Sequence, residues 1–254
     1  MDYDNISQIY DVSRAANLET VEILVKLIQA SSDSLLLDLG CGTGNYTTAL
    51  QQIAKNVIGI DLSKGMIEQA RAKYPAIQFI HGDITSLPFD SEIFDGAFSI
   101  QVLHHIKKKE ILLNEAHRVL RKGAYIAIHS CSHNQMRSFW FCHYFPKGLK
   151  LDIARVPDVE VIAFLLERAR FSNIGVKICY NDTVVAHETP ESYLNKNYRD
   201  GISTFALITE EEIELGCRKL QEDIASGAIK NVIKHYNAKM AIAGGSSIIY
   251  GQKV

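Results

Sequence analysis

The sequence predicts an α/β fold built on a mostly parallel, doubly wound sheet with helices on both faces. Three observations predict it. Short apolar runs typical of buried strands alternate with amphipathic helical segments over residues 35–130. A glycine-rich turn follows the first of these strands and leads into a helix. Acidic residues stand at the ends of the next two strands, as at the carboxyl edge of a parallel sheet.

The period of the apolar residues predicts the individual elements, because helices repeat every 3.6 residues and strands every two. Residues 136–156 are rich in aromatics without a clean period, and we predict an irregular insert there that covers the carboxyl edge of the sheet. Strands are predicted at 35–39, 57–60, 77–80, 94–100, 124–130, 174–180 and 246–250, and helices at 18–30, 45–53, 64–73, 109–120, 158–169, 190–199 and 210–225.

Charge and composition narrow the classes of partner. The 27 lysines and arginines nearly balance the 29 acidic residues, so no overall field attracts nucleic acid or an anionic membrane. No apolar run reaches membrane-span length and the first residues do not resemble a secretion signal, which predicts a cytoplasmic protein. The five cysteines are scattered without a C-x-x-C pair, which predicts free thiols and no metal site.

Three glycines in the turn after the first strand indicate a small-ligand site. Gly40, Gly42 and Gly44 allow a sharp turn and a close approach of ligand to backbone. Their spacing is G-x-G-x-G, whereas the turn that seats a pyrophosphate has G-x-G-x-x-G. Asp38, just before the turn, either caps it through backbone hydrogen bonds or orders the loop indirectly.

The acidic strand ends indicate a nucleoside. Asp61 follows the turn by about twenty residues, where a carboxylate accepts hydrogen bonds from both hydroxyls of a ribose. Asp83 ends the third strand, where it can accept from an exocyclic amine such as that of adenine. The alternative for both residues is a solvated strand end. Together with the glycine turn, they predict an adenosine pocket.

Several ordered motifs carry a family resemblance. Residues 35–130 resemble the class I S-adenosylmethionine-dependent methyltransferases, in particular the small-molecule group akin to the ubiquinone and menaquinone methyltransferases. The matching motifs are LLLDLGCGTG (35–44), IGIDLSKGM (58–66), GDITSLPF (82–89), FDGAFSIQVLHHI (94–106) and EAHRVLRKGA (115–124). Each motif alone would be weak, but their order makes the signal strong.

The resemblance implies a Rossmann-like, seven-stranded sheet with an antiparallel final strand, a helical lid and inserts. We expect one domain over 1–254, with a lid or helix in 1–30, the cofactor-binding core in 31–130, and inserts at 131–170 and 183–240. S-adenosylmethionine is the implied cofactor and S-adenosylhomocysteine the product. The residues expected to bind it are Tyr10, Arg14, Asp38, Gly40, Cys41, Gly42, Gly44, Asp61, Leu62, Met66, Asp83, Ile84 and Gln101.

Within that set the resemblance assigns parts of the cofactor. Gly40 and Gly42 approach its amino-acid part, Asp61 binds the ribose, and Asp83 with Ile84 holds the adenine. Leu62 and Met66 pack near the base, although Met66 fits the core equally well. Tyr10 and Arg14 are candidates for lid contacts, Arg14 with the methionine carboxylate.

Candidates on the acceptor side lie past the fourth and fifth strands. His104, His105 and His129 are candidate catalytic residues because a histidine titrates near neutral pH, and the alternative is a structural or helix-capping role. Candidates for binding the acceptor are His133, Arg137, Trp140 and Tyr144, which alternatively bury the apolar face of the insert.

The predicted function is transfer of a methyl group to a small-molecule acceptor by in-line displacement, catalysed mainly by positioning. The methylated atom is left open between oxygen, nitrogen, sulfur and carbon, and the protein is expected to be a monomer or homodimer. Two alternatives share the same turn and acidic residue: a nicotinamide-dependent oxidoreductase, and a module that binds the cofactor or a partner without catalysis.

Overall fold

The computed structural model describes Asp4 and residues 15–181 and 189–254. Its sheet has seven strands in the order β3-β2-β1-β4-β5-β7-β6. Strands β1 to β5 are parallel, and β7 lies between β5 and β6, antiparallel to both. The predicted mostly parallel sheet with an antiparallel final strand is confirmed. The strands are β1 Leu35–Leu39, β2 Asn56–Asp61, β3 Gln78–His81, β4 Phe94–Ile100, β5 Leu120–Ser130, β6 Phe171–Cys179 and β7 Ser246–Lys253.

Helices cover both faces of the sheet and its carboxyl edge. Short 3₁₀ helices span Leu103–His105, Trp140–His143, Pro190–Leu194 and Phe205–Leu207. The α-helices are α1 Leu18–Leu27, α2 Asn45–Gln51, α3 Lys64–Lys73, α4 Lys109–Val119, α5 His133–Met136, α6 Pro146–Arg155, α7 Val159–Arg168, α8 Lys196–Asp200, α9 Glu210–Ser226 and α10 Ile229–Ala243.

Alternating strand residues build a core on each face, because successive side chains of a strand point in opposite directions. Leu37 and Leu39 of β1 pack into a core with α4 and α7, whereas Leu36 packs into a core with α1 and α2. A third cluster belongs to the elements at 133–155 and 190–243, which we call the helical cap. Its centre is the fully buried Tyr193, stacked on Phe141 with ring centroids 5.2 Å apart.

Several predicted elements differ from the structure, and one helix was missed. Strand β6 begins at Phe171 instead of 174, and the helix predicted at 190–199 is a 3₁₀ helix followed by α8. Strand β5 begins at Leu120 instead of 124, because a register shift and the positive φ of Gly123 accommodate an exposed polar stretch within the strand. The insert at 136–156 is largely helical: α6 begins with Pro146, and Gly148 packs so closely that a Cβ would lie 2.6 Å from Thr204 Cγ2. Helix α10 was not predicted.

No helix in the described ranges combines the length and apolar character that crossing a membrane requires.

Asp38 is a buried acid that joins β1 to α2. It is 1% exposed, and its Oδ2 accepts a hydrogen bond of 2.7 Å from the hydroxyl of the buried Thr47. Burial raises the pKa of Asp38 to about 7, against the opposing effect of that hydrogen bond and with a smaller contribution from Asp61. The contact links strand and helix beneath the glycine turn, which favours the indirect ordering role.

The raised pKa predicts a pH-dependent stability. The folded chain retains this proton up to about pH 7, whereas the unfolded chain loses it near 3.8. The stability that the protonated Asp38 contributes is therefore fully present below pH 3.8 and is lost as the pH rises through about 7. Asp38→Asn keeps the Thr47 contact without titrating. Between pH 5 and pH 8, the free energy of unfolding of the parent should therefore fall by roughly 2 to 3 kcal/mol relative to that of Asp38→Asn.

Urea denaturation at the two pH values measures this difference. Asp33→Asn, a change at an exposed aspartate in the turn before β1, is the matched control and should follow the parent. Identical pH dependence in the parent and Asp38→Asn would contradict the assignment of a buried, protonated Asp38.

Candidate active site

The glycine turn after β1 is held against the end of β2. The amides of Gly40 and Cys41 both donate to the carbonyl of Ile60, at 2.8 and 3.1 Å. Gly40 has a φ of +82°, and a Cβ there would lie 2.5 Å from Val102 Cγ2. The turn therefore requires glycine for both its conformation and its packing.

Asp61, the last residue of β2, braces this turn. Its Oδ2 accepts from the amide of Gly42 and its Oδ1 from the amide of Ser63, both at 2.9 Å. Burial raises the pKa of Asp61, and these backbone hydrogen bonds act in the opposite direction. A carboxylate has about four lone-pair positions, so Asp61 can still accept hydrogen bonds from a ligand.

Asp83 follows β3 and is exposed. Its Oδ1 accepts from the amide and the hydroxyl of Thr85, both at 2.8 Å, which fixes the carboxylate in a local turn. Its Oδ2 has no hydrogen-bond partner among the residues that the structure describes. One oriented oxygen is thus available to a donor on a ligand.

Asp4 belongs to this site, and sequence reasoning missed it. Its Oδ1 accepts from the hydroxyl of Ser63 at 2.5 Å and from the amide of Gly65 at 2.8 Å, at the start of α3. These hydrogen bonds lower the pKa of Asp4. The contacts span about sixty residues, and no local pattern in the sequence indicates them. The predicted lid residues Tyr10 and Arg14 lie outside the described residues.

These groups surround a cavity of about 530 Å³, within the usual range for small-molecule sites. Its lining includes the predicted Gly40, Gly42, Asp61, Leu62, Met66, Asp83, Ile84 and Gln101, together with Asp4, Ser63, Ile100, Val102, His105 and Ile106. Of the other predicted residues, Cys41 and Gly44 belong to the turn, and Asp38 lies beneath it; none of the three is in this lining.

A second cavity of about 100 Å³ adjoins the first, because Gln101 and His105 line both. It lies between the carboxyl edge of the sheet and the helical cap. Its remaining lining is His104, Cys131, Met136, Phe139, Phe141, Cys142, Leu149, Asp152, Arg155, Val156, Gly201, Ile202, Ser203 and Thr204.

Gln101 has an unusual backbone at the junction of the two cavities. Its φ is +55°, which is uncommon for a residue other than glycine and is frequent at functional sites. Its amide donates to the carbonyl of His129 at 3.1 Å, and its side-chain nitrogen lies 3.3 Å from His129 Nδ1.

The three candidate catalytic histidines differ in position. His105 is exposed and lines both cavities, while His104 is half-buried and lines the smaller one. Their rings lie 3.9 Å apart. His129 is buried and lines neither cavity, and its Nε2 lies 2.9 Å from the hydroxyl of Ser246. This placement favours the structural alternative for His129.

The four candidates for binding the acceptor line neither cavity. Trp140 and Tyr144 pack in the aromatic cluster of the helical cap, so the geometry favours burial of the insert's apolar face. His133 contacts Asp158 at 3.1 Å and the carbonyl of Val156 at 2.9 Å. Arg137 is exposed, with a contact of 3.4 Å to Asn134. The aromatic run at 139–145 therefore builds a small core, and two of its members, Phe139 and Phe141, also line the smaller cavity.

Comparison with known proteins gives the same class as the motifs. A family model described as "Methyltransferase domain" matches residues 37–128. A 2-phytyl-1,4-naphtoquinone methyltransferase from Nostoc punctiforme is 32% identical over 54% of this chain and 67% of its own length. A malonyl-[acyl-carrier protein] O-methyltransferase from Yersinia pestis is 32% identical over 49% of this chain, and this chain spans less than half (46%) of that relative.

A solved structure extends the likeness beyond the sheet. It is described as a candidate methyltransferase from an antibiotic biosynthesis pathway of Anabaena variabilis. Superposition gives a TM-score of 0.80 at 25% identity, covering 94% of this chain and 99% of that one. The motifs, the fold and these relatives together show that the chain belongs to the methyltransferase family.

Proposed function

We propose that this chain transfers a methyl group from S-adenosylmethionine to a small-molecule acceptor, with the cofactor in the larger cavity and the acceptor entering the smaller one. The observation that carries the proposal is the junction of the two cavities at Gln101 and His105. A transferred group must pass between two bound molecules, and these cavities meet over a shared wall.

The residues of the larger cavity fit an adenosyl cofactor. Asp61 offers carboxylate oxygens to ribose hydroxyls, and the Oδ2 of Asp83 can accept from the adenine amine. Leu62 and Met66 supply apolar surface beside a base. The positive φ values of Gly40 and Gly42 bring backbone to the cavity wall without side chains. These are the features that a nucleoside with an amino-acid tail requires.

When bound, the cofactor supplies a methyl group on a sulfonium centre whose thioether leaves without acid assistance. The chain's own residues then act mainly by enclosing and orienting the acceptor. Such positioning is worth about 7 to 11 kcal/mol. His105 is the candidate base where the acceptor must lose a proton, a contribution of about two to four powers of ten.

The charges of the site support a small acceptor over a nucleic acid. The described lining of the larger cavity contains the carboxylates of Asp4, Asp61 and Asp83 and no lysine or arginine. With a net charge of −2, the chain has no field that would attract a polyanion. Action in the cytoplasm as a monomer or homodimer remains part of the proposal.

The first prediction from the proposed function concerns Asp61. Asp61→Ala removes the proposed ribose acceptor and the brace on Gly42, and should weaken binding of S-adenosylmethionine and S-adenosylhomocysteine by about tenfold or more. Isothermal titration measures both ligands, with NAD⁺ as the competing nucleotide. Glu68→Ala, on the exposed side of α3, should bind as the parent does. The proposal would be refuted if neither sulfur nucleoside bound the parent, or if Asp61→Ala bound them as tightly as the parent does.

A second prediction tests the adenine contact. Asp83→Ala should weaken S-adenosylhomocysteine by roughly five- to tenfold, because one hydrogen bond to a charged acceptor is lost. The inosine analogue of the same product carries an oxygen in place of the amine. Its affinity should therefore be equal for Asp83→Ala and the parent. Equal losses for both ligands would assign Asp83 to the shape of the loop alone.

Turnover separates an enzyme from a silent cofactor-binding module. Incubation with isotopically labelled S-adenosylmethionine and fractionated metabolite extracts should yield a labelled small molecule, identified by mass spectrometry. The doubly changed Asp61→Ala, Asp83→Ala chain is the control and should give no product. Tight cofactor binding with no label transferred to any fraction would favour the silent module.

A further inference from the structure

The smaller cavity has one polar end, formed where α6 meets the loop after α8. Asp152 and Arg155 come from α6, and Ser203 and Thr204 come from the loop. Arg155 is the one lysine or arginine in the described lining of either cavity. Arg155 was not among the predicted site residues, because it lies near the end of a segment without a clear period.

Hydrogen bonds fix the Arg155 guanidinium along one edge. Its Nε donates to Asp152 Oδ1 at 2.8 Å, and its Nη2 donates to the hydroxyl of Ser203 at 2.6 Å. Nη2 also lies 2.7 Å from Asp152 Oδ1 in the ion pair. The hydroxyl of Thr204 donates to Asp152 Oδ2 at 2.5 Å. The side chains of Arg155 and Asp152 are only 22% and 13% exposed, so the pair is largely desolvated.

This arrangement leaves donors at the cavity. Nη1 of Arg155 has no hydrogen-bond partner within the described part of the chain. The hydroxyl of Ser203 accepts a hydrogen bond from Arg155 and can still donate its own O–H. The O–H of Thr204 already donates to Asp152. The unused groups at this end therefore include an N–H donor of Arg155 and the O–H donor of Ser203, and the positive charge of Arg155 is offset by Asp152.

The rest of the cavity limits what can reach these donors. Phe139, Phe141, Leu149 and Ile202 supply apolar walls. A volume of about 100 Å³, much smaller than that of the larger cavity, suits the head group of an acceptor. A polar head between apolar walls must find its hydrogen bonds at this end.

We propose that Arg155, with Ser203, binds a carboxylate or carbonyl oxygen of the acceptor. The oxygen-bearing head enters the smaller cavity, and the remainder of the acceptor lies toward Gln101 and His105, where the two cavities meet. This inference rests on the proposed function, since it assigns the smaller cavity to the acceptor. Asp152 and Thr204 act as positioning residues that hold the guanidinium in place.

The test uses benzoate, benzamide and toluene as probes of the full chain saturated with S-adenosylhomocysteine. Ligand-observed NMR titration measures their affinities. Benzoate or benzamide should bind the parent more tightly than toluene, and Arg155→Met should weaken that probe about ten- to a hundredfold. The two oxygen probes separate an anionic acceptor from a neutral carbonyl. Lys150→Met, an exposed change on the same helix, is the matched control and should leave all affinities unchanged.

A second variant guards against misfolding, because Arg155→Met leaves Asp152 buried without its partner. Ser203→Ala keeps the ion pair and should weaken the oxygen probe about three- to tenfold. Toluene binding as tightly as the oxygen probes, or unchanged probe affinity in a folded Arg155→Met or Ser203→Ala chain, would overturn the inference. S-adenosylhomocysteine affinity is measured in every variant. Its absence in the parent would instead refute the proposed function.

Discussion

Hydrogen bonds between the glycine turn and the end of β2 hold one side of the larger cavity together. The amides of Gly40 and Cys41 share the Ile60 carbonyl, and the amide of Gly42 donates to the carboxylate of Asp61. Asp61 also accepts from Ser63, which caps α3 and in turn donates to Asp4. One chain of polar contacts therefore fixes the turn, the second strand and the third helix relative to each other. A displaced β2 would therefore move the walls of the larger cavity that the turn and the start of α3 supply.

Many residues that line the larger cavity, where we propose the cofactor, were predictable because topology alone brings them together. Gly40, Asp61 and Asp83 are separated by regular strand-helix units, and parallel strands end at one edge of the sheet. Their meeting does not depend on how individual side chains pack. The bounds of β1 and β4 were also predicted, since both are apolar runs that are buried in the sheet. The start of β5 was missed because Arg121 and the residues beside it are exposed.

The smaller cavity, where we propose the acceptor, depends on contacts between distant segments, which leave no periodic signal. The contact of Arg155 with Ser203 joins residues 48 apart, and that of Asp152 with Thr204 joins residues 52 apart. An aromatic run such as 139–145 suits a pocket and a core equally well. Tyr193, about fifty residues further along, decides between them by packing against Trp140 and Phe141. No pattern in the sequence indicates which of these distant side chains contact each other.

Gln101 lines both cavities, and its backbone has a positive φ. A positive φ at a residue other than glycine costs on the order of 1 to 3 kcal/mol, so the surroundings must hold it. The holding group is His129, which bonds the amide and side chain of Gln101 and lies 2.9 Å from Ser246 at the start of β7. The antiparallel final strand thus supports the junction of the two cavities from behind. On this geometry His129 supports Gln101 at the junction of the two cavities, and it lines neither of them.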